Sequence, residues 1–216
     1  MNLRTRMTRF AMIVGMFGAA TGLAAPPVAA AVAPASAGSS VEATVSHGRL
    51  GPLTDLVIER IRVGDDVAAS KFGTDSPIED PVREQQVLEQ VRKQAVAAEL
   101  DPDAAVAFFR DQITASKVVQ KGLFARWTAH PQEAPTTRPD LGQIRERLDR
   151  LTTDLLAELK NTERVRDRPV ACSVQLALAT ASGASRERLD RLHRQALKAA
   201  TPSVCRTGAG GPAARR

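Results

Sequence analysis

The chain has 216 residues, 43% hydrophobic and only 3% aromatic, with 30 Lys and Arg against 24 Asp and Glu, a formal charge of +6. Three of the basic residues, Arg4, Arg6 and Arg9, sit at the extreme N-terminus, so the rest carries 27 basic against 24 acidic side chains. Such mixed signs at helical spacing belong to solvated helix faces, and so small an excess gives no footing for a nucleic-acid partner.

In chain order, the three arginines are followed by an apolar stretch from Phe10 to Leu23 and then by small residues as far as Ala37. This is the three-part pattern of a secretory signal peptide. The apolar stretch, about 14 residues, is short against the roughly 20 that a bilayer span needs, which disfavours a membrane anchor at the start of the chain. Residues 1–37 are therefore read as the signal, with Ala35-Ser36-Ala37 as the cleavage site and a cut near Ala30 or Ala31 as the competitor. No other segment approaches spanning length, so a secreted or periplasmic protein, free of the membrane after signal removal, is expected. A cut after Ala37 leaves about 179 residues, enough for one domain with a real core.

Residues 38–48 are small and polar and read as a flexible leader. From Arg49 onward the pattern is helical. Leu50, Leu53, Leu56, Val57 and Ile61 recur at steps of three and four, and Val67, Ala68 and Phe72 prolong the stripe past Gly64. After a break at Gly73 to Pro77, Asp80-Pro81 reads as an N-cap followed by proline at the first helical position. That helix runs to about Glu99, with Val87, Leu88, Val91 and Ala95 inward. Asp101-Pro102 repeats the signal and opens a third helix to about Trp127. His130 to Pro139 holds three prolines and cannot stay helical. Asp140 begins a fourth helix with Leu141, Ile144, Leu148, Leu151, Leu155 and Leu159 on one stripe. Two shorter helices follow, Val170 to Ala181 and Ser185 to Ala200, divided at Ser182-Gly183. The expected fold is all-α, a single domain over 49–205 of four main and two short helices, with a disordered tail over 206–216.

Cys172 and Cys205 are the only cysteines and both fall in the exported part. In an oxidising compartment such a pair reads most simply as one disulfide, here in the C-terminal part. A metal site would need more ligands than His47, His130 and His193 supply, and reactive thiol pairs sit closer together in sequence.

Nucleophile elbows, zinc-protease motifs, phosphate loops and dinucleotide fingerprints are all missing. What the sequence offers instead is cations and polar donors. Arg60 and Lys71 are 11 residues apart, within about 20° of a whole number of helical turns, so an unbroken helix puts both on one stripe. Arg83 lies in the first turn of the second helix, three residues after Asp80. Ser116 and Gln120 are i,i+4 neighbours in an otherwise apolar run, and Arg145 lies near the start of the fourth helix. Each has an ordinary surface or capping explanation. Together they could converge on one polar pocket.

Their order and spacing resemble a known family. Glu59-Arg60-Ile61, then Ala69-Ser70-Lys71-Phe72, then Pro77 to Gln86, together with Asp101-Pro102-Asp103, Phe109 to Ile113, Phe124-Ala125-Arg126-Trp127, Pro139-Asp140-Leu141 and the two late cysteines, look like the secreted subclass of all-helical chorismate mutases. The likeness extends from about Leu50 to Cys205. It implies an exported isomerase that converts chorismate, a small dicarboxylate, to prephenate by a pericyclic shift, with no cofactor and no metal. By that resemblance Arg60 and Arg145 bind the carboxylates, Lys71 donates to the ether oxygen and reaches a carboxylate, and Gln120 is its partner donor on that oxygen. Asp80 accepts from the ring hydroxyl, Arg83 braces the same region, and Ser116 is a hydroxyl near a carboxylate. Val87 stands where some relatives carry a polar pocket residue. The family also implies a pocket complete within one chain, and a homodimer is compatible with it. The rival reading is an exported, non-catalytic helical protein that binds a small dicarboxylate or a protein partner. Lys71 and Gln120 argue against it, because holding a dianion needs only the arginines.

Overall fold

The computed structural model describes residues 48–205. The expected signal peptide, nearly all of the leader and the expected tail lie outside the described residues. Among those described, the chain is entirely helical. Its helices are α1 (Gly51–Lys71), α2 (Pro81–Ala97), α3 (Pro102–Ala129), α4 (Leu141–Asn161), α5 (Glu163–Arg166), α6 (Pro169–Arg186) and α7 (Arg191–Ala200). None is long and apolar enough to cross a membrane.

The starts are where the sequence puts them, and the physical cause is visible. Asp80 accepts from Arg83 N at 3.0 Å, Asp101 from Asp103 N and Ala104 N at 2.9 and 3.2 Å, and Asp140 from Gln143 N at 2.9 Å. Each satisfies a backbone donor that the first turn leaves orphaned, typically worth about 1 kcal/mol. α1 lies at the centre, packed on α3, α4, α6 and α7, while α3 also packs on α2 and α7. Leu53, Val57, Ile58 and Ile61 of α1 meet Phe108, Phe109 and Val119 of α3 and Leu155 and Leu159 of α4 in the main core. Gly64 does not interrupt α1; its missing side chain faces Val119, whose Cβ would lie 3.4 Å from a Cβ placed there.

The C-terminal part corrects the expected division. Helix α6 continues through Ser182-Gly183 to Arg186, and the chain turns at Glu187–Asp190, with Arg188 at φ 48° and Asp190 capping α7 through His193 N at 2.8 Å. Gly183 is there for packing. A Cβ at that position would stand 2.8 Å from Ile58 Cδ1, so the glycine lets α6 approach α1 closely. A short α5 and a 3-10 turn at Pro131–Glu133 add to the expected elements.

The Cys172–Cys205 disulfide is present, with a Cα–Cα distance of 5.7 Å, and links α6 to the segment after α7. For a sequence separation of 33 residues the chain-entropy model gives about 3–4 kcal/mol of stabilisation. The same segment is fastened by Arg166, 1% exposed, which donates to Val204 O at 2.9 Å and Leu159 O at 3.0 Å.

α7 is also clamped to α1 by His193. Its Nε2 lies 2.9 Å from Asp65 Oδ1 and its Nδ1 lies 2.7 Å from Asp190 Oδ1. Hydrogen bonding to Asp65, opposed by burial and joined by Asp190, raises the imidazole pKa to about 9. A folded pKa above the unfolded value means the clamp is fully effective below about pH 6.5 and is lost as pH rises through about 9. The expected result is a melting temperature for wild type that exceeds that of His193→Gln near pH 6, the gap closing towards pH 10. Parallel curves over that range would take the imidazolium out of the account.

Candidate functional site

All seven residues singled out for a shared anion site line one cavity of about 270 Å3, together with Val87. Its walls come from α1, the loop after it, α2, α3 and α4, all from one chain. Pockets for small molecules start near roughly 300 Å3, so the space suits a compact ligand. Five cationic side chains line it, Arg60, Lys71, Arg83, Lys117 and Arg145, against the carboxylates Asp80, Glu84 and Asp149. The excess is two positive charges.

Arg60 forms the deep end. It is 8% exposed, donates from Nη1 to Leu148 O at 3.3 Å, and its guanidinium carbon lies 5.7 Å from the centre of the Phe109 ring. No carboxylate is in salt-bridge contact with it among the described residues; Asp149 acts on it only at longer range. Burial pulls its pKa down to about 10 against that attraction, so at neutral pH it remains a desolvated cation. Arg83 and Arg145, by contrast, are exposed at the mouth.

Lys71 is the last residue of α1. Burial lowers its pKa, Asp80 raises it, Arg145 lowers it further and Glu84 raises it. Its Nζ donates to Pro77 O at 2.8 Å, across the loop that separates α1 from α2. Ammonium has three hydrogens, so this bond leaves donors for the cavity. Asp80 is both the cap of α2 and part of the wall.

Ser116 and Gln120 are a coupled pair. Gln120 Nε2 lies 3.1 Å from Ser116 Oγ and 3.3 Å from Ser116 O, while Gln120 Oε1 is buried without a partner. A side-chain amide turned by 180° occupies the same space, and a hydroxyl donates as readily as it accepts. Turned so, Oε1 accepts from the Ser116 hydroxyl and the NH2 group takes the buried position of the unpartnered Oε1.

The sequence reading missed six polar wall residues, Ser76, Glu84, Gln112, Lys117, Asp149 and Thr152. Gln112 is 2% exposed and donates from Nε2 to Ala200 O at 2.7 Å, tying the wall to the end of α7, with Oε1 unpartnered. Thr152 and Asp149 belong to the polar edge of the α4 stripe. Lys117 lies 2.8 Å from Glu79 Oε2 and 3.1 Å from Glu84 Oε2, and Glu79 Oε1 also takes Lys121 at 2.6 Å. Hydrogen bonds from Lys117 and Lys121 hold Glu79 well below the usual carboxylate range, at about 2. Only adjacency to Ser116 hinted at Lys117, because pairing partners from a loop and another helix leave no periodic trace.

Comparison with known proteins places this arrangement. A family model for chorismate mutase type II matches residues 52–121. The secreted chorismate mutase of Mycolicibacterium smegmatis is 38% identical over 157 residues, 73% of this chain and 86% of the relative. Two solved chorismate mutases share the architecture. That of Burkholderia thailandensis has a TM-score of 0.69 at 39% identity, covering 73% of this chain and 99% of its own. That of Burkholderia phymatum has a TM-score of 0.71 at 32% identity, covering 76% and 99%. With the helical fold, the single-chain cationic cavity and this extent of identity, the chain belongs to the helical chorismate mutase family.

Proposed function

We propose that this protein converts chorismate to prephenate outside the cytoplasm, by a rearrangement in which the ether C–O bond breaks as a new C–C bond forms. No proton or electron need enter or leave, so the demands on the protein are orientation and charge. The observation that carries the reading is Arg60, a guanidinium desolvated in advance and with no carboxylate in contact among the described residues. A buried cation without a counter-ion is costly, and a dianionic ligand is the partner that removes the penalty.

Arg60 at the deep end and Arg145 at the mouth suit the two carboxylates, since guanidinium grips a carboxylate bidentately. Held by both ends, the substrate keeps the folded conformer from which the bond can form. As the ether bond lengthens, its oxygen gains negative charge, and Lys71 and Gln120 are the donors assigned to it. Such donors act more strongly on the transition state than on the ground state. Asp80 is assigned to the ring hydroxyl, with Arg83 bracing the same region and Ser116 near a carboxylate. Export is supported by the signal pattern in the sequence and by the secreted relative, and a pocket complete in one chain works in a monomer or a homodimer.

The test is chorismate disappearance catalysed by the purified, oxidised protein with a metal chelator present, prephenate being identified as the product. A folded, disulfide-bonded protein that leaves chorismate untouched would overturn the proposal. One further outcome is specific to this chain. An amide at position 120 does not titrate, so kcat is expected to stay free of any loss between pH 5 and 8 that disappears on substituting residue 120. Gln120→Glu is expected to introduce one, with activity falling as pH rises and the carboxyl ionises.

A further inference from the structure

The loop between α1 and α2, residues 73–80, packs three tasks into its last four residues. The Pro77 carbonyl accepts from Lys71 Nζ, Glu79 is bound to Lys117 and Lys121 of α3, and Asp80 caps α2 while lining the cavity. Gly73, at φ 71°, starts the loop, whose near end is closed locally by Thr74, its N and Oγ1 donating to Lys71 O at 3.0 and 2.7 Å and its Oγ1 accepting from Ser76 N at 3.1 Å. The far end is held by charge. Lys117, 22% exposed, gathers Glu79 from the loop and Glu84 from α2. It therefore bonds both sides of the Asp80 cap.

We infer that Lys117 is a positioning residue for the proposed reaction: through Glu79 and Glu84 it fixes the 77–80 segment against α3, and so holds the Lys71 ammonium and the Asp80 carboxylate where they face the substrate. The inference rests on the chorismate reading and deepens it. Lys117 has no task on the substrate itself, because its ammonium is already engaged by two carboxylates. With Glu79 held at about 2 by Lys117 and Lys121, the network stays ionised across the working range of pH.

The experiment compares Lys117→Met, Glu79→Gln, the double variant and Lys117→Arg by kcat and KM for chorismate, with hydrogen exchange of the backbone amides of residues 73–80. Small misplacements of catalytic groups cost one to two orders of magnitude in rate, so each single variant is expected to lose about 10-fold in kcat with KM nearly unchanged. The double variant is expected to lose less than the product of the two single losses, since the Lys117–Glu79 tie is counted in both, while Lys117–Glu84 and Lys121–Glu79 belong to one variant each. Lys117→Arg is expected to recover most of the rate, and exchange to quicken only in the loop. Additive losses, a change confined to KM, or full kcat in Lys117→Met would each overturn the inference. Glu79 is half exposed, so its variant keeps the test open should Lys117→Met fold poorly. A wild type inert on chorismate would sink the functional reading instead, and unchanged exchange in Lys117→Met would sink the positioning role in either case.

Discussion

Lys71→Ala is expected to lower kcat by roughly 10²–10³-fold, the usual loss on removing a donor aimed at developing negative charge. Stability is expected to change little, because Lys71 is the final residue of α1 and only partly buried. Among the described residues its ammonium bonds a loop carbonyl, and the truncation leaves Pro77 O at an exposed site where water can replace the donor. KM is expected to move less than kcat, since the arginines still hold the carboxylates. Single-turnover kinetics with saturating chorismate separate the two effects. A mutant that turns over at the wild-type rate would remove Lys71 from the chemistry, and one that merely binds more weakly would reassign it to the carboxylates.

Arg60→Met carries the second large effect, and it has opposite signs in activity and stability. The substitution keeps an unbranched apolar stem beside Phe109 but removes the deep-end cation. Losing one partner of a desolvated charge contact costs about 2–5 kcal/mol, so kcat/KM is expected to fall by roughly 10²-fold or more. The free protein responds differently. Burial holds the Arg60 pKa down to about 10, and a downward shift of a cation marks a free-energy cost of keeping its charge out of water. Methionine does not carry that penalty, and the expected melting temperature is equal to or above that of the wild type. Thermal melts with and without a dicarboxylate inhibitor check this: the wild type is expected to gain from the ligand and the variant hardly at all. A strongly destabilised Arg60→Met would mean that Arg60 is a structural strut for Leu148 O and Phe109, with no reserve held for an anion.

These expectations share a physical basis. The site is built from charges whose desolvation is borne by the fold, chiefly by the packed contact of α1 and α3 and by the clasp that the disulfide and Arg166 form at the C-terminus. Gln112 joins the two regions, reaching from the cavity wall to the last carbonyl of α7. Stability at the far end of the molecule therefore bears on the shape of the site.

The sequence by itself determined the helical class, the four main helices and their starts, and the disulfide. Those features are local or compositional. Asp-Pro caps act within one turn, apolar spacing of three and four fixes a buried face, and two cysteines have only one pairing. It also named seven wall residues, because Arg60 and Lys71 share a stripe on an unbroken helix and the order of motifs along the chain resembles a known family. Only the tertiary structure decided what lies between elements. Gly183 reads as a helix break until Ile58 of α1 is seen against it. Gln120 reads as a free donor until the Ser116 hydroxyl is found 3.1 Å from its amide, which makes the amide's orientation decide what the cavity meets. Lys117 reads as one more solvated lysine until Glu79 and Glu84 arrive from a loop and another helix. In each case the deciding partner is distant in sequence or hidden in a side-chain rotamer, and short-range periodicity carries no record of either.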